Sequence, residues 1–527
     1  MKNSFTLVLL GLLLLVRPVG AIELSQDFDS GSLNVAASAV VGNTVHLVGR
    51  RTWTQAGYTS YYRWVYFKAS SVAGLQPQFD ISSSTFLGTL TDHRYLYSYD
   101  QSEWNYFDNC YTSGSMYYFS NNQPFTQDEV YVAYSLPYPL ARTQQHMAAV
   151  VESPFVCPTA SGCGDFVIGR TAGGIDDLGR TIAPNDLYGF KITDPYSSGE
   201  KAKVLLSSGN HPCETPGSHA FEGAIDFLLS DAPEAVGLRR LADFYVYPQI
   251  NPDGRVAGYY RSTPENPDKD YNRYWDNPTG FTDMTAVRDA MILDTGGDID
   301  YLFDFHSSFG PWTRNPYYAV VYADRDSPFA LALAELEPDI DQSFSSGASG
   351  MLRIWAQSSY GLNAEHAYTP EFGCHPGVLE ERLDEMGANY IRALYMALGP
   401  APESVPGDAT GDGVVDEADA ARLAEYWGAT GVDWMWGDFD DDGFVGPRDA
   451  AILAAHWTRG PVVPEPSVVA MLLVGLVVLL PRRLLNGIEG ISRPWEWFSC
   501  DSDSSVILSA AKNLSLHDRR DSSLRSE

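Results

Sequence analysis

Positive charge is scarce in this chain. Its 527 residues carry 35 Lys and Arg against 67 Asp and Glu, a formal net charge of −32. Nucleic-acid binding rests on Lys and Arg neutralising phosphates, so that class of partner is excluded. The acidic excess gives a self-repelling surface suited to divalent cations. Cysteine is also sparse, six in all, too few for a disulfide framework in a protein of this length. Cys157 and Cys163, flanking a short Gly- and Ser-containing loop, are the best candidate pair, and Cys213 with Cys374 is a second. Long apolar runs are missing too, since none reaches the about 20 residues that a bilayer span needs. What remains is an ordinary apolar content in a chain too long for one domain, so several modules are expected.

The two short apolar runs lie near the ends. Lys2, the run Phe5 to Val16 and the small residues Val19-Gly20-Ala21 read as a secretory signal over residues 1–21. The mature chain is then expected outside the cytoplasm. Near the other end, Pro464-Glu465-Pro466-Ser467 precedes the apolar Val468 to Leu480 and then Pro481-Arg482-Arg483. This layout, over 464–483, resembles the PEP-CTERM sorting signal of bacterial exported proteins. The resemblance implies transient holding at the membrane and processing by an exosortase-type enzyme. Residues 484–527 follow it here, and their Ser- and charge-rich composition reads as a disordered or spurious tail.

Residues 22–138 are rich in Tyr, Thr, Ser, Val and Trp and show no helical period. Alternating runs such as Tyr62 to Phe67 and Val130 to Tyr134, separated by turns such as Asp29-Ser30-Gly31, predict an antiparallel β-sandwich. A carbohydrate-binding module with an aromatic face is the alternative, although most of these aromatics suit core and cross-strand positions.

From residue 139 to 400 the pattern changes to strand-helix alternation, which predicts an α/β domain with a mixed sheet. Strands are expected at Lys203 to Ser207, Phe244 to Ile250 and Tyr301 to Phe305, and helices at Ser218 to Leu229 and Leu379 to Leu398. Directly after the first strand comes Gly209-Asn-His-Pro-Cys-Glu-Thr-Pro-Gly-Ser218. Its His211 and Glu214 sit three residues apart at a strand end, where an imidazole and a carboxylate can face one zinc ion. Further along stand Asn251-Pro-Asp-Gly254, Gly258-Tyr-Tyr-Arg261, Asp270-Tyr-Asn-Arg273, Asp304-Phe-His-Ser307 and Tyr368-Thr-Pro-Glu-Phe372.

Motifs of this kind in this order resemble the zinc carboxypeptidases (funnelins), most of all their cytosolic-carboxypeptidase branch. Tyr66 to Lys68, Ser98 to Asp100 and Ala133 to Tyr138 are similar to that branch's β-sandwich. The sequence departs from the pattern at Cys213, Arg255 and Tyr259-Tyr260. The resemblance implies His211, Glu214 and His306 as ligands of one catalytic zinc. It implies Glu371 as general base and Arg261 as the carbonyl-polarising arginine. Asn272 and Arg273 would clamp the substrate's terminal carboxylate, and Asp270 would orient His211. The chemistry agrees, because zinc generates a nucleophile at neutral pH and a carboxylate beside it can move the proton. The mobile pocket tyrosine of digestive relatives has no clear counterpart, with Tyr360 the only candidate. The branch also removes acidic residues. Its pocket arginine aligns with Met351, and Arg353, two residues on in a stretch read as extended, projects to the same face. A preference for acidic C-terminal residues is expected on that basis.

Residues 401–460 hold a duplicated acidic loop. Asp408, Thr410, Asp412, Gly413, Asp416 and Asp419 fall at positions 1, 3, 5, 6, 9 and 12 of a calcium loop, and Asp438, Asp440, Asp442, Gly443 and Asp449 at 1, 3, 5, 6 and 12 of another. Each is followed by a helical pattern, so a small α-helical module with two calcium ions is expected. The repeat resembles a type I dockerin, which implies a cohesin-like partner. The combined reading is a multidomain, exported zinc metallocarboxypeptidase acting on peptides or proteins with a free C-terminus. A cell-wall peptide hydrolase on the same fold and a catalytically silent adhesion protein remain the alternatives.

Overall fold

A computed structural model describes residues 21–50, 64–82, 93–195, 197, 200–308, 319–373, 380–399, 405–411, 413–432, 434–440 and 442–458. The expected signal segment up to residue 20, Cys374, Asp412 and everything from residue 459 onward, including the sorting-signal stretch, lie outside the described residues.

Among its described residues the N-terminal region has ten short strands: β1 (Glu23–Ser25), β2 (Ala39–Val41), β3 (Thr44–Leu47), β4 (Tyr66–Ser70), β5 (Gln78–Ser82), β6 (Leu96–Ser98), β7 (Asn105–Tyr106), β8 (Asn109–Ser113), β9 (Met116–Ser120) and β10 (Glu129–Ala133). They form two five-stranded sheets, ordered β1-β4-β10-β6-β7 and β2-β3-β5-β9-β8. Alternation decides what faces in. In β9, Tyr117 and Phe119 are buried while Met116, Tyr118 and Ser120 are half-exposed. The shared core is aromatic, with Phe67, Phe79, Tyr95, Phe107 and Phe119 fully buried. One pairing departs from the antiparallel expectation: β3 and β5 run parallel. The chain leaves β3 for the opposite sheet, forms β4, and returns, and such a crossover permits parallel pairing where a hairpin cannot.

The central region begins with α1 (Leu140–Val150) and β11 (Val156–Pro158). Two small hairpins follow, β12 (Val167–Arg170) with β15 (Asp186–Tyr188) and, between them, β13 (Gly174–Ile175) with β14 (Thr181–Ile182). Then come β16 (Phe190–Ile192), β17 (Ala202–Ser208), α2 (Thr215–Leu229), α3 (Pro233–Leu241), β18 (Ala242–Tyr247), α4 (Pro252–Val256) and α5 (Thr282–Thr295). The last run is β19 (Tyr301–Ser308), β20 (Ala319–Tyr322), α6 (Pro328–Leu336), β21 (Asp341–Ser343), α7 (Leu352–Ala356), β22 (His366–Gly373) and α8 (Glu380–Leu398). An eight-stranded mixed sheet runs β11-β16-β18-β17-β19-β22-β20-β21, with β18, β17, β19 and β22 parallel.

Helices cover both faces of the central strands, so Val204, Leu205 and Leu206 of β17 are all completely buried and read as one apolar run. On one face α2 lies against α8 at very short range. A Cβ on Gly223 would fall 2.3 Å from Asp384 Cα, and one on Gly387 1.8 Å from the Ala220 carbonyl oxygen. No other residue fits at either crossing. That close packing fixes α2, whose N-terminal end carries Glu214.

The expected Cys157–Cys163 disulfide is absent. Both are free thiols, Cys157 half-buried in β11 and Cys163 exposed in the turn with φ 51°.

Beyond residue 405, α9 (Glu417–Glu425) and α10 (Pro447–Ala455) enclose a small core of Ala409, Val415, Leu423, Phe439, Val445 and Leu453. Between them Met435 is buried in the same apolar cluster as Phe155 and Leu238 of the central region, and Trp436 packs 6.1 Å from the Phe155 ring. Among the described residues no helix is long and apolar enough to cross a membrane.

Candidate active site

The parallel strands deliver the expected residues to one end of the sheet, where open α/β folds place ligands. His211 follows β17, Glu214 is the residue before α2, and His306 lies within β19. On the adjacent strand β22, Glu371 stands in register with His306. Strand ends hold these groups because the backbone there is fixed by the ladder while the side chains reach past it.

His211 turns Nδ1 to Glu214 Oε1 at 2.9 Å, and His306 turns Nδ1 to Glu214 Oε2 at 2.7 Å. Each ring's other nitrogen meets a buried carboxylate. His211 Nε2 lies 3.0 Å from Asp270 Oδ1, and His306 Nε2 lies 2.7 Å from Asp304 Oδ2. All five side chains are almost fully buried. The Ser307 backbone N–H also donates to Glu214. Donor atoms of His211, Glu214 and His306 lie within 4.8 Å of one another. Two imidazole nitrogens and one carboxylate, each histidine backed by a second carboxylate, is a donor set that fits zinc with a position left open.

Charge coupling inside the cluster is strong. Burial alone would raise the Glu214 carboxyl, but His211 and His306 reverse this and hold it well below the usual range. Burial would lower His306, and the Asp304 and Glu214 carboxylates push it well above the ordinary histidine value. Glu371 has the opposite fate. Burial and the neighbouring Glu214 push it up to about 8.

Arg261 extends over this cluster. Its Nη1 donates to Asp270 Oδ2 at 3.2 Å, and its Nη2 is 3.6 Å from Glu214 Oε1. Asp270 also starts the short turn Tyr271–Arg273 by accepting the Asn272 N–H. Asn272 Oδ1 accepts the Leu352 N–H at 2.8 Å and its Nδ2 is 3.4 Å from His306 Nε2. Arg273, half-buried, donates to the Asn272 carbonyl.

Three readings change. Arg353 does not project from an extended stretch, since residues 352–356 form helix α7 with only Met351 before it extended. Apolar Leu352, Trp355 and Ala356 at helical spacing bury this turn. Arg353 is nonetheless buried, with Nη2 donating to the Ser345 carbonyl at 3.1 Å and a buried Nε that no acceptor among the described residues reaches. Tyr360, the candidate pocket tyrosine, is exposed and hydrogen-bonded to Asp276. Among the described residues, Tyr322 of β20 interacts with Glu371 and Glu214 of the cluster. Burial and then the Glu371 and Glu214 carboxylates push its phenol up to about 12, while Arg353 pulls it down. Asp304 was also missed as a functional residue, although its two-residue spacing from His306 on a strand puts both on one face.

In the acidic loops, Asp438, Asp440 and Asp442 bring carboxylate oxygens within 4.8 Å of one another. Asp408 accepts from Thr410, Gly411 and Gly413, and Asp416 caps α9. The twelfth-position carboxylates Asp419 and Asp449 hold backbone amides of their own loops, Thr410 and Asp416 for one, Phe439, Asp440 and Gly446 for the other.

Comparison with known proteins supplies the family context. Residues 174–308 match the zinc carboxypeptidase family model. Residues 24–135 match the cytosolic carboxypeptidase N-terminal domain and residues 406–457 the dockerin type I domain. Cytosolic carboxypeptidase 2 of Danio rerio is 37% identical over 142 residues, which cover 26% of this chain and 18% of that protein. Human cytosolic carboxypeptidase 6 is 28% identical over 259 residues, covering 44% and 51%. The chain thus spans under a fifth of the first of these relatives. In fold it is similar to a metallo-carboxypeptidase from Burkholderia cenocepacia, with TM-score 0.57 at 21% identity over 71% of this chain and 98% of that one. A Pseudomonas aeruginosa metallo-carboxypeptidase gives TM-score 0.53 at 19% identity over 71% and 98%. One chain thus carries stretches similar to the zinc carboxypeptidases, to the cytosolic carboxypeptidase N-terminal domain and to the type I dockerins.

Proposed function

We propose that the chain is an exported zinc metallocarboxypeptidase that hydrolyses the C-terminal peptide or isopeptide bond of peptide substrates. The observation that carries this reading is the paired arrangement in which His211 and His306 each turn Nδ1 to Glu214 and Nε2 to a buried aspartate. His211, Glu214 and His306 would hold a zinc ion, which would supply Lewis acidity and a water whose pKa falls toward about 7. Asp270 and Asp304 fix the tautomers that leave both Nδ1 atoms free to ligate. Glu371 accepts the proton of the attacking water and returns it to the leaving amine, the work of a carboxylate positioned beside the reacting water. Arg261 polarises the scissile carbonyl and stabilises the charge that develops on its oxygen. Asn272 and Arg273 hold the substrate's terminal carboxylate, for which a guanidinium fork is well shaped. Arg353, buried without a carboxylate partner among the described residues, is assigned to an acidic side chain at the substrate's C-terminal position.

Residues 1–21 direct export in this reading, 464–483 are processed by an exosortase-type enzyme, and the 406–457 module binds two calcium ions and a cohesin-like partner. The catalytic reading is tested by incubating the purified protein with peptides and measuring the free C-terminal amino acid. Release that stops with a chelator and returns with zinc is expected. Absence of release, or release indifferent to chelation, overturns it.

A further inference from the structure

The segment that presents Arg261 is gripped from the N-terminal β-domain. It begins at Asn251, whose side chain caps α4 by accepting the Gly254 N–H and donates to the Ser262 carbonyl. Its middle, Val256 to Gly258, lies directly against the Asp29-Ser30-Gly31 turn. The Ser30 N–H donates to the Val256 carbonyl at 3.1 Å. Gly258 has φ +68°, and a Cβ there would sit 2.5 Å from the Gly31 carbonyl oxygen. The turn itself is fixed, because Trp64 Nε1 donates to the Ser30 carbonyl and the Ala141 N–H at the start of α1 donates to Asp29.

Arg50, after β3 and only 2% exposed, closes the grip. Its Nη1 donates to the Ala257 carbonyl. Its Nε and Nη2 engage Asp177 and Asp176, and the guanidinium lies 5.0 Å from the Tyr259 ring centroid. Arg180 donates to the same Ala257 carbonyl at 3.0 Å and to the Gln26 carbonyl of the β-domain. Two residues past Tyr259, the Arg261 guanidinium lies 5.1 Å from the Tyr260 ring, which is buried among Trp64 and Tyr66 of the β-domain and Cys213 of the zinc loop. The Arg261 carbonyl accepts the Tyr271 N–H, which links the segment to the Asp270–Arg273 turn.

We infer that the β-domain is part of the catalytic apparatus, with Arg50 the positioning residue that sets Arg261 through the Ala257 carbonyl and the Tyr259 ring. Arg50 does not touch the substrate or the reacting atoms. It determines where the loop carrying Arg261 rests, and small misplacements of an oriented group cost rate steeply. The inference rests on the role given to Arg261 above.

The test uses the full chain with Arg50→Met and Arg50→Lys. With zinc content unchanged, Arg50→Met is expected to lower kcat about tenfold or more while KM changes little, the pattern of a lost transition-state interaction. Arg50→Lys should recover part of the loss, as it keeps a donor to the Ala257 carbonyl. In an Arg261→Ala background, Arg50→Met should cost less than about twofold, since coupled residues are non-additive. Independently of activity, hydrogen exchange of zinc-free protein should quicken in residues 255–262 of Arg50→Met and stay unchanged in β19. A full Arg50 effect in the Arg261→Ala background, or exchange that quickens everywhere or nowhere, overturns the inference. An inactive wild type with the local exchange change would instead fault the assigned reaction and leave the interdomain grip standing. If Arg50→Met does not fold, Arg50→Lys carries both readouts.

Discussion

His306 and Asp304 stand two residues apart on one strand, and their side chains meet at 2.7 Å beneath the metal-binding face. The contact fixes the ring and leaves Nδ1 directed at Glu214. Asp304 is itself held by Ser207 and Asn210. Asp304→Asn is therefore expected to weaken zinc binding by about 10- to 100-fold, the usual cost of losing such a support. Competition against a chelator of known affinity measures it, and unchanged affinity would show that the contact is only structural.

In the proposed mechanism Glu371 serves the chemistry and not the metal. It is not one of the three grouped donors. Glu371→Gln should keep one zinc per chain and lose about two to four orders of magnitude in rate. Metal analysis alongside peptide hydrolysis decides, and joint loss of zinc and activity would make Glu371 a ligand.

Arg353 should govern selectivity. Wild-type protein is expected to favour peptides ending in Glu over those ending in Phe or Lys. Arg353→Ala should remove about ten- to a hundredfold of kcat/KM for the Glu peptide alone, the worth of a charged hydrogen bond. A wild-type preference for Phe, or an unchanged ratio in the variant, refutes the assignment.

Calcium should tighten the 406–457 module. Trp434 Nε1 donates to the carbonyl of Asp408, the first residue of the first acidic loop, so an indole reports on that loop. Chelation is expected to shift tryptophan emission to the red and lower the module's unfolding temperature, because clustered carboxylates repel one another without a cation. Trp434→Phe should remove much of the emission change. Emission and melting that ignore calcium would count against both loops.

Asp283 supplies a pH signature away from the zinc cluster. Burial, with the nearby Asp253 and Glu265 carboxylates, pushes it up to about 7. In the unfolded chain it titrates near about 3.9. Between those values the folded protein holds a proton that the unfolded chain has released, so this group makes stability fall as pH rises from about 4 to about 7 and then level off. Asp283→Asn should gain on wild type above pH 7 by up to about 4 kcal/mol, with the gain vanishing near pH 4. Thermal unfolding at acidic and mildly alkaline pH tests this, and an equal shift at both would contradict it.

That His211, Glu214 and His306 converge was legible because short motifs at the ends of apolar strands constrain both residue type and position. The long α2 and α8 and the parallel strands were legible from periodicity for the same reason. The role of Asp304 is not legible from its motif, since a carboxylate before a histidine carries no mark of orientation until the strand is known. The stretch around Arg353 reads as extended because a five-residue helix is too short for its period to outweigh the Gly- and Ser-rich stretch before it. The parallel β3–β5 pair depends on which sheet the intervening strand joins, and that is a tertiary matter. Arg50 meets Ala257 across 207 residues, and no local pattern predicts such a partner.

Met435 and Trp436 lie in the apolar cluster of the central region, and this has a mechanical consequence. A module tethered by a loose linker would sweep a volume and present the site at every angle. One seated by buried side chains works as a fixed mount: whatever grasps residues 406–457 also dictates which way the end of the sheet that carries His211, Glu214 and His306 faces.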